Sequence, residues 1–188
     1  MTDNSAHGLE AREDEWLAVR CQLGERAAFD ELVARWHEPL WRYVRRVTAE
    51  DEAAREVLQD VWVRVIRGIV RLREGSKLRP WLFGIARRAL MDRLRERYAA
   101  PAAVPLQDFD LAADQDTSAL EEDLASMQQG LEELPVTERE VLTLFYLREL
   151  SLAEVAEVLG VPAGTVKSRL FRARQMLRRD MDTKGRPV

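Results

Sequence analysis

The stretch SLAEVAEVLGVPAGTVKSRLFRAR, residues 151–174, admits little besides a helix, a tight turn and a second helix. Ala156 is small where two helices must approach. Gly160 permits the positive φ that the turn needs, and Val166 is placed to plug the second helix onto the first. Between Pro162 and Arg179 the second helix carries Lys167, Arg169, Arg172, Arg174, Arg178 and Arg179 and no acid, as an element lying against phosphates requires. The spacing predicts a helix-turn-helix that reads duplex DNA. A solvated basic helix is the plainer alternative, and it leaves the Ala156, Gly160 and Val166 spacing unexplained.

A chain of 188 residues with no Gly/Ser linker suits one medium domain or two small helical ones, and two are expected. Hydrophobic residues at 46% supply a core, while 33% charge is too much for a membrane protein. No apolar run approaches about 18 residues. The start MTDNSAHG has neither a basic region nor an apolar stretch, so a cytoplasmic protein without membrane insertion is expected. Cys21 has no partner for an internal disulfide and reads as an inert, partly buried thiol. His7 and His37 are too few for a zinc site, and no metal or cofactor is expected. There is no phosphate loop, nucleophile elbow or paired His/carboxylate constellation to suggest an enzyme.

The net charge of −4 conceals segregation along the chain. From Arg64 to Arg97 eleven Lys/Arg stand against three acids; from Ala99 to Glu138 there are ten acids and no Lys or Arg; from Arg139 onward basic residues lead ten to six. Two basic lobes are thus separated by an acidic connector.

Helical periodicity runs through nearly every segment, and no Asn-Gly or Asp-Gly hairpin signal occurs, so the fold class is all-α. A first helix is predicted over Arg12–Gln22, with Trp16, Val19 and Leu23 on one apolar face. A second covers Glu25–Val47, with Pro39 as a point of kinking, and a third covers Asp51–Ile69, burying Val57, Val61 and Val65. After the polar loop 72–79 a fourth begins at Pro80 and continues to about Tyr98. Trp36, Trp41, Trp62 and Trp81 fall in the apolar period and read as core. Residues 12–98 form the first domain and 99–117 a flexible acidic linker; 118–181 form the second domain. The second opens on the capping box Ser118–Glu121 and a stripe of Leu120, Leu124, Met127, Leu131 and Leu134. The same capping pattern recurs at Thr137–Glu140 and Ser151–Glu154.

Taken together, these residues resemble the extracytoplasmic-function sigma factors of bacterial RNA polymerase, which contain only sigma regions two and four. Leu134-Pro135 through Arg174, above all GTVKSRLFRAR at 164–174, resembles region four; QDVW at 59–62 and WLFGIAR at 81–87, followed by Asp92 and Arg95, resemble region two. The resemblance implies a transcription-initiation factor that joins core RNA polymerase, recognises promoter DNA and promotes its opening, with no covalent chemistry. In the second domain Thr165, Lys167, Ser168, Arg169, Phe171, Arg172 and Arg174 would meet the minus-thirty-five element, with Lys167, Ser168, Phe171 and Arg172 nearest the bases. Arg169 has a second reading, a stem packed inside the lobe. In the first domain Arg73, Ser76, Lys77 and Arg79 of the loop would capture separated minus-ten bases. Arg87 and Arg88, with Arg93 and Arg95, would follow the backbone. Glu56, Gln59, Asp60 and Arg64 would dock on the clamp helices of core polymerase, and the second domain on its flap. The family implies a cognate anti-sigma factor as a further partner. The residues alone leave open a free-standing helix-turn-helix repressor or activator, which would bind a palindromic duplex without polymerase.

In the family the connector threads through basic polymerase channels, a path that suits an acidic stretch without Lys or Arg. Replacing Asp108, Asp110, Asp114 and Asp116 together with Ala is expected to weaken holoenzyme formation or alter initial transcription. Unchanged core binding and unchanged initial transcripts would contradict that role.

Overall fold

Apolar residues at spacings of three and four give each long segment one face to bury, and a segment with such a face is stable only against others like it. In the computed structural model of the chain these segments are helices, and no strand occurs among the described residues, which are 3–48, 50–99, 130–131 and 133–184. The first lobe comprises α1 (Asp3–Gln22), α2 (Arg26–Thr48), α3 (Asp51–Gly68) and α4 (Leu78–Ala99). The second comprises α5 (Val136–Leu142), α6 (Leu152–Leu159) and α7 (Ala163–Lys184). The acidic linker beyond Ala99, the Ser118–Glu121 capping box, and Leu120, Leu124 and Met127 lie outside the described residues.

The first lobe packs as the periodicity predicts, except in α1. In α2 Leu32, Trp36, Leu40, Tyr43, Val44 and Val47 are buried, and the helix runs through Pro39 without ending. In α3 Ala54, Val57, Leu58, Val61 and Val65 are buried, and acids Asp51 and Glu52 complement the helix dipole in its first turn. Phe83 of α4 meets Trp36 and Tyr43 edge-on, with ring centroids 6.2 and 5.5 Å away. Trp41, Trp62 and Trp81 pack half-buried against the same core.

The expected face of α1 is wrong. Trp16 and Leu23 are 63% and 79% exposed, whereas Leu17, Ala18 and Cys21 are buried. Two long-range contacts set this rotation: the Gln22 amide donates to the carbonyls of Ile69 and Leu72 at 3.1 and 2.7 Å, and Asp14 pairs with Arg35 at 3.2 Å. The helix also begins at Asp3, ahead of the apolar pattern that predicted its start at Arg12. Good helix formers such as Ala11 and Glu10 carry it outward without needing an apolar face.

In the second lobe the turn chemistry decides the geometry. Ser151 accepts from the Glu154 N–H at 3.2 Å while the Glu154 carboxylate accepts from the Ser151 N–H at 2.7 Å, a complete capping box. Gly160 takes φ +63°, and α6 closes with Gly160 N–H to Glu157 carbonyl and Val161 N–H to Ala156 carbonyl. Val166, Leu170 and Ala173 then bury the inner face of α7. The other expected box, at Thr137, does not form. Pro135 caps α5, its carbonyl accepting from the N–H groups of Glu138 and Arg139; the Thr137 hydroxyl turns to the Glu138 carboxylate, and Glu140 points elsewhere. A π-helical turn, Thr143–Leu147, follows α5 and leads to Glu149 at φ +52°, features the periodicity did not announce.

Ser151→Ala removes one half of the box and is expected to cost about 1 kcal/mol, read as a lower midpoint in thermal denaturation followed by circular dichroism. Burial pushes the Cys21 thiol up to about 11, so at about pH 8 roughly one molecule in a thousand carries the reactive thiolate. Iodoacetamide should modify native protein slowly and denatured protein quickly; equal rates would contradict the burial.

Candidate nucleic-acid interface

The buried face of α7 dictates its outer one. With Val166, Leu170 and Ala173 turned inward, Lys167, Ser168, Phe171, Arg172 and Arg174 are exposed, and Phe171 is 58% exposed, unusual for a ring with no protein surface to cover. Thr165 and Arg169 are half-buried at the margin. Ser168 Oγ donates to the Thr165 carbonyl at 2.9 Å, and Arg174 Nε to the Leu170 carbonyl at 3.2 Å, both along the helix itself. Arg172 reaches back to Glu138 at 3.5 Å. One helical face therefore combines cations, a hydroxyl and an aromatic ring. That set can contact phosphates, base edges and apolar groove atoms.

In the first lobe the predicted minus-ten residues differ in exposure and in the charges they meet. Arg73 and Ser76 are exposed in the loop and its Gly75–Lys77 turn. Gly75 is required there by close approach, since a Cβ would lie 2.9 to 3.1 Å from atoms of Glu15 on α1. Lys77 pairs with Glu157 of α6 at 3.5 Å, and Arg79 is half-buried at the start of α4. Along α4 the ladder divides. Arg88 is exposed, Arg87 turns toward the second lobe, and Arg93 and Arg95 turn toward acids.

Those acids include predicted polymerase contacts. Glu56 of α3 pairs with Arg93 of α4; Arg64 bonds Asp60 at 2.7 Å and Asp92 at 2.8 Å, and Asp92 also holds Arg95 at 3.0 Å. Hydrogen bonds to Asp92 and Asp60 raise the Arg64 guanidinium further above its ordinary range. Gln59 is exposed beside this lattice. Partial exposure in water keeps each pair weak, about 1 kcal/mol or less. The lattice orders two helices without locking their charges away.

A polar centre between the lobes was absent from the sequence-based expectation. Glu140 of α5 is 1% exposed; its Oε1 accepts from Tyr43 Oη at 2.7 Å and from Arg87 Nε at 3.0 Å. Burial pushes the Glu140 carboxyl above the usual range, against the opposing pull of Arg87, Tyr43 and Arg169. Burial likewise drives the Tyr43 phenol well up, reinforced by the neighbouring Glu140 charge. The available signal was a carboxylate at apolar spacing, four residues from both Val136 and Leu144. Among the described residues no group of three or more His, Cys, Asp or Glu is placed to hold a metal, and no helix is long and apolar enough to cross a membrane.

Comparison with known proteins places both lobes. The family described as Sigma-70 region 2 matches residues 32–99, and Sigma-70, region 4 matches residues 124–177. The chain is 37% identical over 172 residues to the ECF RNA polymerase sigma factor SigM of Mycobacterium tuberculosis, covering 92% of this chain and 86% of that protein. It is 29% identical to SigW of Bacillus subtilis, over 84% of this chain and 91% of that one. Among solved structures it is similar to CnrH in complex with the cytosolic domain of CnrY, at TM-score 0.68 and 27% identity over 90% of this chain and 97% of that one. RpoE of Bartonella quintana, solved with the anti-sigma factor NepR, has the same fold at TM-score 0.69, 24% identity and 82% and 96% coverage. The two basic lobes and their order along the chain are thus those of a known class, and the chain belongs to the extracytoplasmic-function sigma factors, the transcription-initiation factors of bacterial RNA polymerase.

Proposed function

We propose that this chain carries two separate promoter contacts and one polymerase contact, divided between its lobes. Residues 118–181 would read the minus-thirty-five element as duplex, through Lys167, Ser168, Phe171 and Arg172 at the bases and Thr165, Arg169 and Arg174 at the margins. The observation that carries this is the exposed outer face of α7, cationic and aromatic with no acid as far as Arg179. Arg can pair with guanine edges and the ring can meet a thymine methyl.

Residues 12–98 would hold the minus-ten element as separated strand. Arg73, Ser76, Lys77 and Arg79 supply the capturing loop, and Arg87, Arg88 and Arg95 the backbone track. Binding energy from captured bases offsets the cost of unpairing, so opening needs no nucleotide hydrolysis. Glu56, Gln59, Asp60 and Arg64 on α3 would dock on core polymerase, and residues 99–117 would bridge the lobes across the enzyme. No covalent step is involved, and the working place of such a factor is the bacterial cytoplasm. A cognate anti-sigma factor is a further partner by similarity to CnrH, solved in complex with the cytosolic domain of CnrY.

The test is transcription from a cognate promoter with purified core polymerase, with and without this chain. Promoter-specific transcripts are expected only in its presence. Lys167→Ala with Arg172→Ala should lower them about tenfold or more, each lost base contact being worth about 1–3 kcal/mol, while core binding is retained. A protein that footprints duplex DNA alone and does not bind core would overturn the reading.

A further inference from the structure

The polar centre at Glu140 balances its charges, but a second cluster beside it does not. On α2 Glu38, Arg42 and Arg46 stand four residues apart and share one helical face. The π turn Thr143–Leu147 packs against α2, and the Arg139 guanidinium donates to the Arg46 carbonyl at 3.4 Å, which holds the second lobe next to that face. Arg148 follows the π turn, its N–H bonded to the Thr143 carbonyl at 3.0 Å. It is half-buried, and the charges it feels are those of Arg42, Arg46 and Glu38 on α2 and Arg79 at the start of α4. Three elements bring four guanidinium groups together.

Acids are too few to neutralise them. Glu38 is already bonded to Arg42, and Glu149, the residue after Arg148, is exposed to water. Among the described residues Arg79 and Arg148 make no ion pair, and Arg148 Nε is buried without a hydrogen-bond partner. Burial, reinforced by Arg42 and Arg46, pulls the Arg148 guanidinium below its ordinary range, yet near neutral pH it keeps its proton. A desolvated, charged donor set among like charges is favourable only with an anion against it.

The cluster narrows which anion. A carboxylate is planar and carries one charge. A phosphate group accepts on several sides and takes the paired N–H groups of an Arg fork; a chain of two or three supplies charge enough for cations arriving from α2, α4 and the end of the π turn. Size matters as well. Arg79 and Arg148 are half-buried, positions that a compact ion reaches more readily than the rigid backbone of a duplex.

We propose that Arg42, Arg46, Arg79 and Arg148 form a binding site for a small oligophosphate, free or carried by a nucleotide, and that the bound anion ties α2 and α4 to the π turn. The site is separate from the proposed DNA face of α7. It stands independently of the promoter contacts, except that Arg79 also belongs to the proposed minus-ten loop.

The experiment is isothermal titration of the full chain, without polymerase or magnesium, at an ionic strength of about 0.15 M. The probes are inorganic tripolyphosphate, adenosine triphosphate and guanosine triphosphate, with sulfate at matched ionic strength as reference. Tripolyphosphate should bind one to one and at least about tenfold more tightly than sulfate. Arg148→Gln and Arg42→Gln should each weaken it about tenfold, the loss of a charge-assisted hydrogen bond, with circular dichroism checking that both stay helical. Arg148→Lys, which keeps the charge and loses the fork, should retain an intermediate affinity. Lys167→Ala with Arg172→Ala strips cations from α7 and should leave tripolyphosphate affinity unchanged. A nucleotide that binds more tightly than tripolyphosphate would identify the carrier of the phosphates, and equal binding the inorganic chain; both support the site.

Tripolyphosphate that binds no more tightly than sulfate would overturn the inference. So would folded Arg148→Gln and Arg42→Gln proteins that bind it as wild type does, or an affinity that falls only in the α7 variant.

Discussion

The packing of Phe83 against Trp36 and Tyr43 is the contact on which the rest is hung. It places α4 across α2, and α4 touches α1, α3 and α6 as well, so one helix fixes the attitude of every element that carries a proposed nucleic-acid residue in the first lobe. Burying such a ring contributes about 1.5–3 kcal/mol, and an edge-on ring pair about 0.5–1.5 more. Tyr43 uses its two ends differently: the ring completes the first core and the hydroxyl leaves it for Glu140. Core packing and the seam between lobes therefore depend on the same side chain.

Much of the second lobe is legible in sequence because its instructions are local. Ser151 and Glu154 stand three residues apart, Gly160 closes the helix they open, and Val166 lies within a turn of Pro162. Helices as short as α5 and α6 cannot persist alone, so strong caps and a tight turn carry unusual weight there. The start of α5 misleads for a related reason: Thr137 has the right neighbours for a cap, but Pro135 already presents its carbonyl two residues earlier.

Long-range contacts defeat a local reading. The rotation of α1 buries Leu17, Ala18 and Cys21 in place of the stripe formed by Trp16, Val19 and Leu23, and brings Gln22 to carbonyls 47 and 50 residues away. Glu140 stands out in sequence only as an acid at apolar spacing, whereas its meaning comes from partners 97 and 53 residues distant. The division of the α4 arginines has the same origin, since spacing places them on one helix but not among the charges that face each of them. The proposed DNA face of α7 needed no such information: its inner residues and its cations alternate with the helical repeat.

The charge lattice between α3 and α4 makes the proposed polymerase face and the proposed minus-ten track neighbours by wiring as well as by sequence. Glu56 is matched to Arg93, and Arg64 and Arg95 share Asp92. A substitution on either helix thus leaves a charge on the other without its mate, so the effects of paired changes should depart from additivity. Descent acts on such surfaces jointly. A lineage that alters how α3 meets its polymerase also inherits a new electrostatic background for α4, and grafting one helix between relatives without the other transfers half of a balanced pair.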